Sequence, residues 1–402
     1  MGLITSQKAL EIILQNTEDW GVESIPFQES EGRVLKNTIV SDRDLPPFNR
    51  VSMDGIAICT TAYEQGIRSF KIESVQAAGS PQLTLHNTNN CIEAMTGAVL
   101  PVNADAVIPY ELLRIENGIA TVEEYGVHYF KNVHKQGADH LINDVLIPMN
   151  TVISPAEIGV LATVGKSMVK VAKCPKILVI STGDELVSVD KIPADHQIRR
   201  SNVHAVVSIL KVMTIAATTI HISDDKDKLT TLIDGFLNNY DVLLFSGAVS
   251  KGKFDFIPDV LDTLGVDKLF HKVKQRPGKP FWFGKKNQTT VFAFPGNPVS
   301  TYASCLKYFT PWFQKSMGLP SVNTMKAVLG ENVSFKPAMT YFLQVALRNQ
   351  EGVLVAYPQK GNGSGDLVNL VKSDAFMELP AEVDEFKKGA VYPVILYRNV
   401  SF

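Results

Sequence analysis

Four loops carry the residue types from which an anion site could be built. They read Thr182-Gly183-Asp184-Glu185, Ser246-Gly247-Ala248-Val249-Ser250, Arg276-Pro277-Gly278-Lys279-Pro280 and Pro295-Gly296-Asn297-Pro298-Val299-Ser300. In the third, Pro277 and Pro280 stiffen a loop around Gly278 and hold two cations three residues apart. Arg276 can grip an oxyanion with two donors, whereas Lys279 acts as a point charge. In the fourth, Asn297 before Pro298 is a helix-start signal, and a helix start offers free N–H groups to an anion. Gly296 permits close backbone approach, and Ser300 lies in the first turn. Carboxylates sit among these loops: Asp184, Glu185, Asp224, Asp225 and Asp255. Near a phosphate they repel unless a metal lies between, and magnesium commonly takes one or two carboxylates plus substrate phosphate oxygens. The mixture suits a phosphate-bearing ligand with a divalent metal. Each loop alone also has an ordinary reading: a capped helix at Asn297, a solvated charge pair at Arg276 and Lys279, a cap at Asp224 or Asp225, a turn at Asp184.

The elements that must position these loops are legible. Three of the loops follow short apolar runs, Ile177–Ile180, Val242–Phe245 and Val291–Phe294, which read as buried strands. Between them, Asn202 to Met213 and Lys226 to Tyr240 have helical spacing, with Asn202 a candidate cap. A further helix is expected from Pro298 to about Gln314. Strands alternating with helices argue for a parallel α/β sheet, whose ligand crevice lies at the carboxyl ends of the strands.

Elsewhere the pattern differs. Ser6 to Asn16 predicts a helix capped by Ser6, and Pro155 to Gly165 another, ending before Gly165. Ile56 to Val133 is β-like, with a hairpin at Glu116-Asn117-Gly118. Past Leu319 the chain is β-like again, with a turn at Asn349-Gln350-Glu351-Gly352. Asp54 in Ser52-Met53-Asp54-Gly55, Thr96 before Gly97, and Asp139 in Gly137-Ala138-Asp139 are weak signals, each compatible with a simple turn.

Composition narrows the classes. A chain of 402 residues exceeds one core and predicts two to four domains. A net charge of −2 gives no basic stripe for nucleic acid, so any anion site must be local. Cys59, Cys91, Cys174 and Cys305 are scattered, which argues against a disulfide framework or structural zinc and for a reducing cytoplasm. No apolar stretch approaches the ~20 residues of a membrane span. The N-terminus lacks a signal-peptide pattern. The eight histidines form no cluster.

Taken in order, the motifs resemble one family. They are Pro47-Phe48 with Ser52-Met53-Asp54-Gly55, Met95-Thr96-Gly97-Ala98 with Ala104-Asp105-Ala106-Val107, Ser181 to Leu186, Ser201-Asn202, Ser246 to Ser250, Pro277 to Pro280, and Pro295 to Ser300. The chain is similar to the MoeA family of molybdopterin molybdenumtransferases, bacterial relatives of the gephyrin E domain. The resemblance spans nearly the whole chain.

That resemblance implies a multidomain α/β plus β fold. Residues 1–42 and 138–172 would form a discontinuous linking domain, 43–137 a β-rich domain, 173–318 a three-layer α/β molybdopterin-binding domain, and 319–402 a C-terminal β domain. The implied reaction inserts molybdate into adenylylated molybdopterin and releases molybdenum cofactor and AMP, with magnesium present. Asp54, Glu185, Asp255 and Lys279 are the expected catalytic residues, and Glu185, Asp255 and Asp54 the expected metal ligands. Thr96, Asp139, Thr182, Gly183, Asp184, Asp224, Ser246, Gly247, Ser250, Arg276, Pro277, Gly278, Pro280, Gly296, Asn297, Pro298, Ser300 and Ser364 are expected to bind substrate. A cytoplasmic homodimer is implied, with Asp54 and Thr96 acting across the subunit interface. Two other readings stand beside it: the adenylyltransferase of the preceding step, whose enzymes usually carry Gly-Gly-Thr-Gly after the second strand, and a binding scaffold on the same fold. Departures from the family pattern are Arg276 for Lys, Ala248 for the second glycine of Gly-Gly-Val-Ser, Ile56 for an aromatic, and Gln344 and His134 for arginines. Ser364 matches.

Overall fold

The computed structural model describes residues 2–123, 126–249, 255–320 and 324–398. Its centre is a six-stranded sheet in the order Ala217–Ile222, Ile177–Thr182, Val242–Ser246, Thr289–Phe294, Trp282–Lys286, Asp267–His271. The first four strands run parallel. The last two close the edge antiparallel. Ile177–Thr182, Val242–Ser246 and Thr289–Phe294 are buried at every residue, as expected of strands covered on both faces.

Strand alternation divides the core into two layers. Ile177, Val179 and Leu244 pack with Val206 and Leu210 of the helix Asn202–Val212 and with the aromatic cluster around Phe292, Phe309 and Trp312. Leu178, Ile180 and Leu243 face the other way, against Leu229 and Ile233 of the helix Lys226–Asn239 and Val260 of Ile257–Thr263. The three-layer α/β arrangement expected of this region is therefore the one observed.

Three helix starts or courses depart from expectation. The first helix, Ser6–Gln15, is capped by Thr5, whose hydroxyl accepts from Lys8 N at 3.1 Å; Ser6 is buried instead. Ser201 takes the cap position of Asn202–Val212, and Asn202 is its first helical residue. The helix expected from Pro298 to Gln314 is α-helical over Pro298–Ser304, widens to a π turn over Cys305–Phe309 and resumes over Thr310–Ser316. Pro311 has no N–H to give the carbonyl four residues back, which accounts for the altered ladder before it.

Before the central sheet lie two other cores. One is a six-stranded sheet, Ala106–Pro109, Gly55–Ile58, Cys91–Ala94, Ser69–Gln76, Ile119–Val122, Leu113–Glu116. Its expected hairpin is present, with Asn117 and Gly118 at φ +49° and +73°. A side chain at Gly55 would start 1.9 Å from Ile108 O, so this glycine serves strand pairing. The other core joins Leu35, Ile39, Ile147, Leu161 and Val171; there Val22–Pro26 pairs with Met168–Ala172, and the helix Pro155–Thr163 is fixed by a Ser154/Glu157 capping box.

The last sheet has seven strands. The long hairpin Thr340–Gln350 and Val353–Pro358 turns at Glu351-Gly352, and Lys326–Leu329, Ala375–Leu379 and Val391–Leu396 complete it with two strands from far upstream, Ile4–Thr5 and Val273–Arg276. The parallel pairing Gln275 with Thr340 and Arg276 with Tyr341 ties the α/β layer to this sheet. A half-buried ion pair, Lys307 Nζ to Glu378 at 2.6 Å, makes a second tie. Among the described residues, no helix is long and apolar enough to cross a membrane.

Candidate functional site

The crevice lies where expected, at the carboxyl ends of the parallel strands. It has two connected chambers of about 910 and 540 Å³. Ala248, Asp255, Gly296 and Asn297 line both.

The larger chamber is framed by Arg276-Pro277-Gly278-Lys279-Pro280 on one side and the C-terminal sheet on the other, including Tyr341, Gln344, Lys360 and Ser364. Two sets of bonds fix the loop. Lys279 O accepts from Val273 N at 2.9 Å and from Phe281 N at 3.0 Å, so the loop closes on itself while the Lys279 side chain stays exposed. Beneath it, buried Gln275 donates through Nε2 to Pro277 O at 3.2 Å and Gly278 O at 3.3 Å. Gly278 is at φ +92°, and a Cβ there would meet Gln275 Nε2 at 2.9 Å and Ser304 Oγ at 3.0 Å. Only glycine fits this turn without moving its neighbours.

The smaller chamber gathers Thr182, Gly183, Glu185, Asn202, Asp224, Ser246, Gly247, Asp255 and Pro298, with Arg199 and Arg200. Gly183 and Gly247 hold φ +130° and +108°, which opens the ends of two strands toward the cavity. Asn202 is not a cap because its amide is used here: Nδ2 donates to Ser246 Oγ at 2.9 Å and Gly296 O at 2.6 Å. Asp184 lines neither chamber; its carboxylate accepts from Asp224 N at 3.1 Å and so orients Asp224. Burial, then Asp184 and Glu185, and more weakly Asp255, push the Asp224 carboxyl above its ordinary range. Thr182 Oγ1, Asn202 Oδ1, Asp224 Oδ1 and Arg200 Nε are buried without a protein partner. Buried polar atoms without partners are uncommon, and four of the eight among the described residues line this cavity, which makes it the candidate ligand surface.

Ala248 adopts φ +54°, the left-handed conformation that a glycine would take at lower cost. The expected contact at Ser250 lies outside the described residues. At the last loop, Asn297 occupies the cap position but makes no side-chain cap bond. Its Nδ2 donates to Ser364 Oγ at 2.7 Å, and Val299 N donates to Ser364 O at 3.1 Å. The helix start is therefore partly satisfied by the C-terminal sheet's loop, and Ser300, buried, lines the larger chamber.

Asp54, Thr96 and Asp139 lie elsewhere; none lines either chamber. Asp54 accepts from Thr96 N at 2.6 Å, and this bond holds its carboxyl below the usual range. Asp139 accepts from His134 Nε2 at 3.0 Å, and His134 Nδ1 lies 3.1 Å from Arg50. Ile56 is buried in the core, so the departure from an aromatic there is a packing difference. Gln344 Oε1 accepts from Asn369 Nδ2 at 2.7 Å on the chamber wall, a neutral group where a cation was expected of the family.

Magnesium commonly takes one or two carboxylates and completes its coordination with substrate oxygens and water. Glu185, Asp224 and Asp255 line one cavity and Asp224 Oδ1 has no partner. Among the described residues no group of three His, Cys, Asp or Glu is assembled to hold a metal, so Asp54 does not join Glu185 and Asp255 within one chain. Arg199, Arg200, Lys360 and Gln275 were not singled out by the loop motifs. The consecutive arginines before Ser201-Asn202 were the available signal; Gln275 and Lys360 offered none.

Comparison with known proteins is consistent along the chain. Family descriptions match in sequence order: MoeA N-terminal region (domain I and II) over 4–165, probable molybdopterin binding domain over 178–315, and MoeA C-terminal region (domain IV) over 326–397. The molybdopterin molybdenumtransferase of Synechocystis is 36% identical over 396 residues, covering 97% of this chain and 99% of the relative. That of Bacillus subtilis is 29% identical, covering 94% and 90%. The crystal structure of a molybdopterin biosynthesis MoeA protein from Pyrococcus is similar at a TM-score of 0.84 and 27% identity, over 99% of this chain and 100% of that one.

Proposed function

We propose a division of labour within the crevice from the premise that this chain belongs to the MoeA family, the molybdopterin molybdenumtransferases. It inserts molybdenum into adenylylated molybdopterin in molybdenum cofactor biosynthesis, releasing the cofactor and AMP. The adenylyltransferase alternative is disfavoured by full-length similarity to the transferases.

In our reading, molybdate, a substrate and a dianion, enters the larger chamber. Lys279 supplies a point charge, Arg276 a fork of donors, and Ser300 and Ser364 hydroxyl groups. The observation that carries this is the rigid loop: Lys279 extends from a backbone held at both Lys279 O and the Pro277 and Gly278 carbonyls. A positioned cation loses little orientation freedom when the anion arrives.

The pyrophosphate link lies toward Asp255, which lines both chambers. Glu185 and Asp255, with Asp224 beside them, would hold magnesium together with phosphate oxygens. Bound there, the ion would neutralise charge building on the departing phosphate. Thr182, Ser246 and the backbone at Gly183 and Gly247 then orient the phosphate-bearing part of the substrate. Asp54 and Thr96 line neither chamber of their own chain, which supports a homodimer whose partner subunit supplies them. Four free cysteines fit a cytoplasmic site of action.

The test is AMP release from adenylylated molybdopterin with molybdate and magnesium. Lys279→Ala should raise the molybdate concentration needed for half-maximal rate by about tenfold or more, the worth of one charge-assisted contact. Unchanged molybdate dependence would refute the placement.

A further inference from the structure

The crevice has two cationic poles, and the second has been given no role. Arg276 and Lys279 line only the larger chamber; Arg199 and Arg200 line only the smaller. Arg199 Nε is engaged, donating to Lys191 O at 3.0 Å. Arg200 is different. Its Nε is buried without a partner, and among the described residues it makes no salt bridge, although Glu185, Asp224 and Asp255 line the same cavity.

The place of Arg200 in the fold is set by two short strands. Leu186–Val187, which follows the Thr182–Glu185 loop, pairs in parallel with Ile198–Arg199, and Arg200 N donates to Val187 O at 2.9 Å. The next residues, Ser201 and Asn202, open the helix that covers the sheet. Arg200 is thus fixed by its backbone on the wall of the cavity that Thr182 also lines, and the Thr182 hydroxyl is likewise buried without a partner. A guanidinium with an unmet donor and an unmet hydroxyl lining one cavity have the chemistry of a phosphate grip.

We infer that Arg200, with Thr182, binds the nucleotide phosphate of the adenylylated substrate and of the product AMP, leaving the Arg276–Lys279 pole to molybdate. The assignment rests on the functional reading above and deepens it. One anion at each pole, the nucleotide phosphate at Arg200 and molybdate at Lys279, keeps the two like charges apart, with Asp255 lining both chambers between them. Arg200 also neutralises charge next to three carboxylates, where phosphate would otherwise be repelled.

Titration of the full-length protein with AMP, and separately with molybdate, tests this. Arg200→Ala should weaken AMP binding about tenfold or more and leave molybdate binding within about twofold. Lys279→Ala should show the reverse pattern. Adenosine, lacking the phosphate, should not distinguish Arg200→Ala from the unaltered chain. Arg200→Lys keeps the charge but loses the fork, and should weaken AMP by a smaller factor; it also serves if the alanine variant does not fold. Equal loss of AMP and molybdate affinity, or unchanged AMP affinity in both variants, would overturn the assignment. If the unaltered protein released no AMP from adenylylated molybdopterin, the functional reading would fall, while the AMP titration would still decide the role of Arg200.

Discussion

The Tyr308 hydroxyl donates to Gln275 Oε1, and this buried bond connects the π turn of one helix to the loop that carries Lys279. Tyr308 Oη also lies 3.3 Å from Ser6 Oγ, and burial pushes the phenol above its ordinary range. With Oε1 accepting from Tyr308, Nε2 faces Pro277 O and Gly278 O. A reversed amide would set its oxygen against two carbonyls. The two carbonyls decide which way the glutamine points, the tyrosine hydroxyl satisfies the oxygen that this leaves, and the glutamine holds the loop.

Tyr308→Phe should accordingly act on the loop as well as on stability. Leaving Gln275 Oε1 without a donor costs about 1–3 kcal/mol. We expect a lower thermal midpoint together with a molybdate KM raised about threefold or more, while kcat changes less. Steady-state kinetics at varied molybdate distinguish this from simple loosening of the core: a reduced midpoint with unaltered KM would mean that Tyr308 only packs.

Ala248 is a separate source of strain. It sits at φ +54°, where a Cβ costs about 1–2 kcal/mol relative to glycine. Added freedom of glycine in the unfolded chain offsets about 0.4–1 kcal/mol of that. Ala248→Gly should therefore leave stability unchanged or raise it by up to about 1.6 kcal/mol. A urea midpoint that fell would show that the alanine methyl contributes packing, since it sits against the cluster around Val249 and Ile257.

The strands and their loops were legible because burial on both faces leaves continuous apolar runs, and because glycines and prolines mark the turns. The left-handed need at residue 248 is legible only through the family's glycine at that place, since the alanine itself does not mark it. Asn202 and Asn297 were misread in part. Each stands at a helix start, where asparagine usually caps, yet each turns its amide to another segment: Asn202 to Ser246, Asn297 to Ser364. Local propensity cannot report a partner 44 or 67 residues away. The strand Val273–Arg276 was missed likewise, since its partner Thr340–Gln350 belongs to the C-terminal sheet. The π turn was hidden because Pro311 follows a good helical pattern and disturbs it only backwards.

Asp224 makes stability depend on pH in a direction that can be fixed. Burial and the neighbouring Asp184 and Glu185 raise its carboxyl above the ordinary value. A carboxyl raised on folding favours the fold while protonated, and that contribution is lost as pH rises through its folded pKa. Asp224→Asn removes the ionised form. Its thermal midpoint should exceed that of the unaltered chain at neutral pH, and the gap should close as pH falls through that pKa. Magnesium with AMP should narrow the gap at neutral pH by stabilising the unaltered protein. AMP release by the variant should fall about tenfold or more, since a charged group is removed from the site. A gap that widened toward acid pH would reverse the sign argued here.

The separation of Asp54 from the crevice leads to the last expectation. Its carboxylate is exposed, bonded to Thr96 N, and outside both chambers. In a homodimer with shared sites, an Asp54→Ala subunit and a Lys279→Ala subunit would each spoil one half of a site. Pairing them rebuilds one intact site per dimer, composed of Lys279 from the first and Asp54 from the second, while the other site carries both lesions. Mixed after reversible dissociation, the two inactive variants should recover about a quarter of full AMP release, because half of the dimers are mixed and each has one working site of two. A site contained within one chain predicts no recovery at any mixing ratio, and would require Asp54 to act through its bond to Thr96 on the packing of its own sheet.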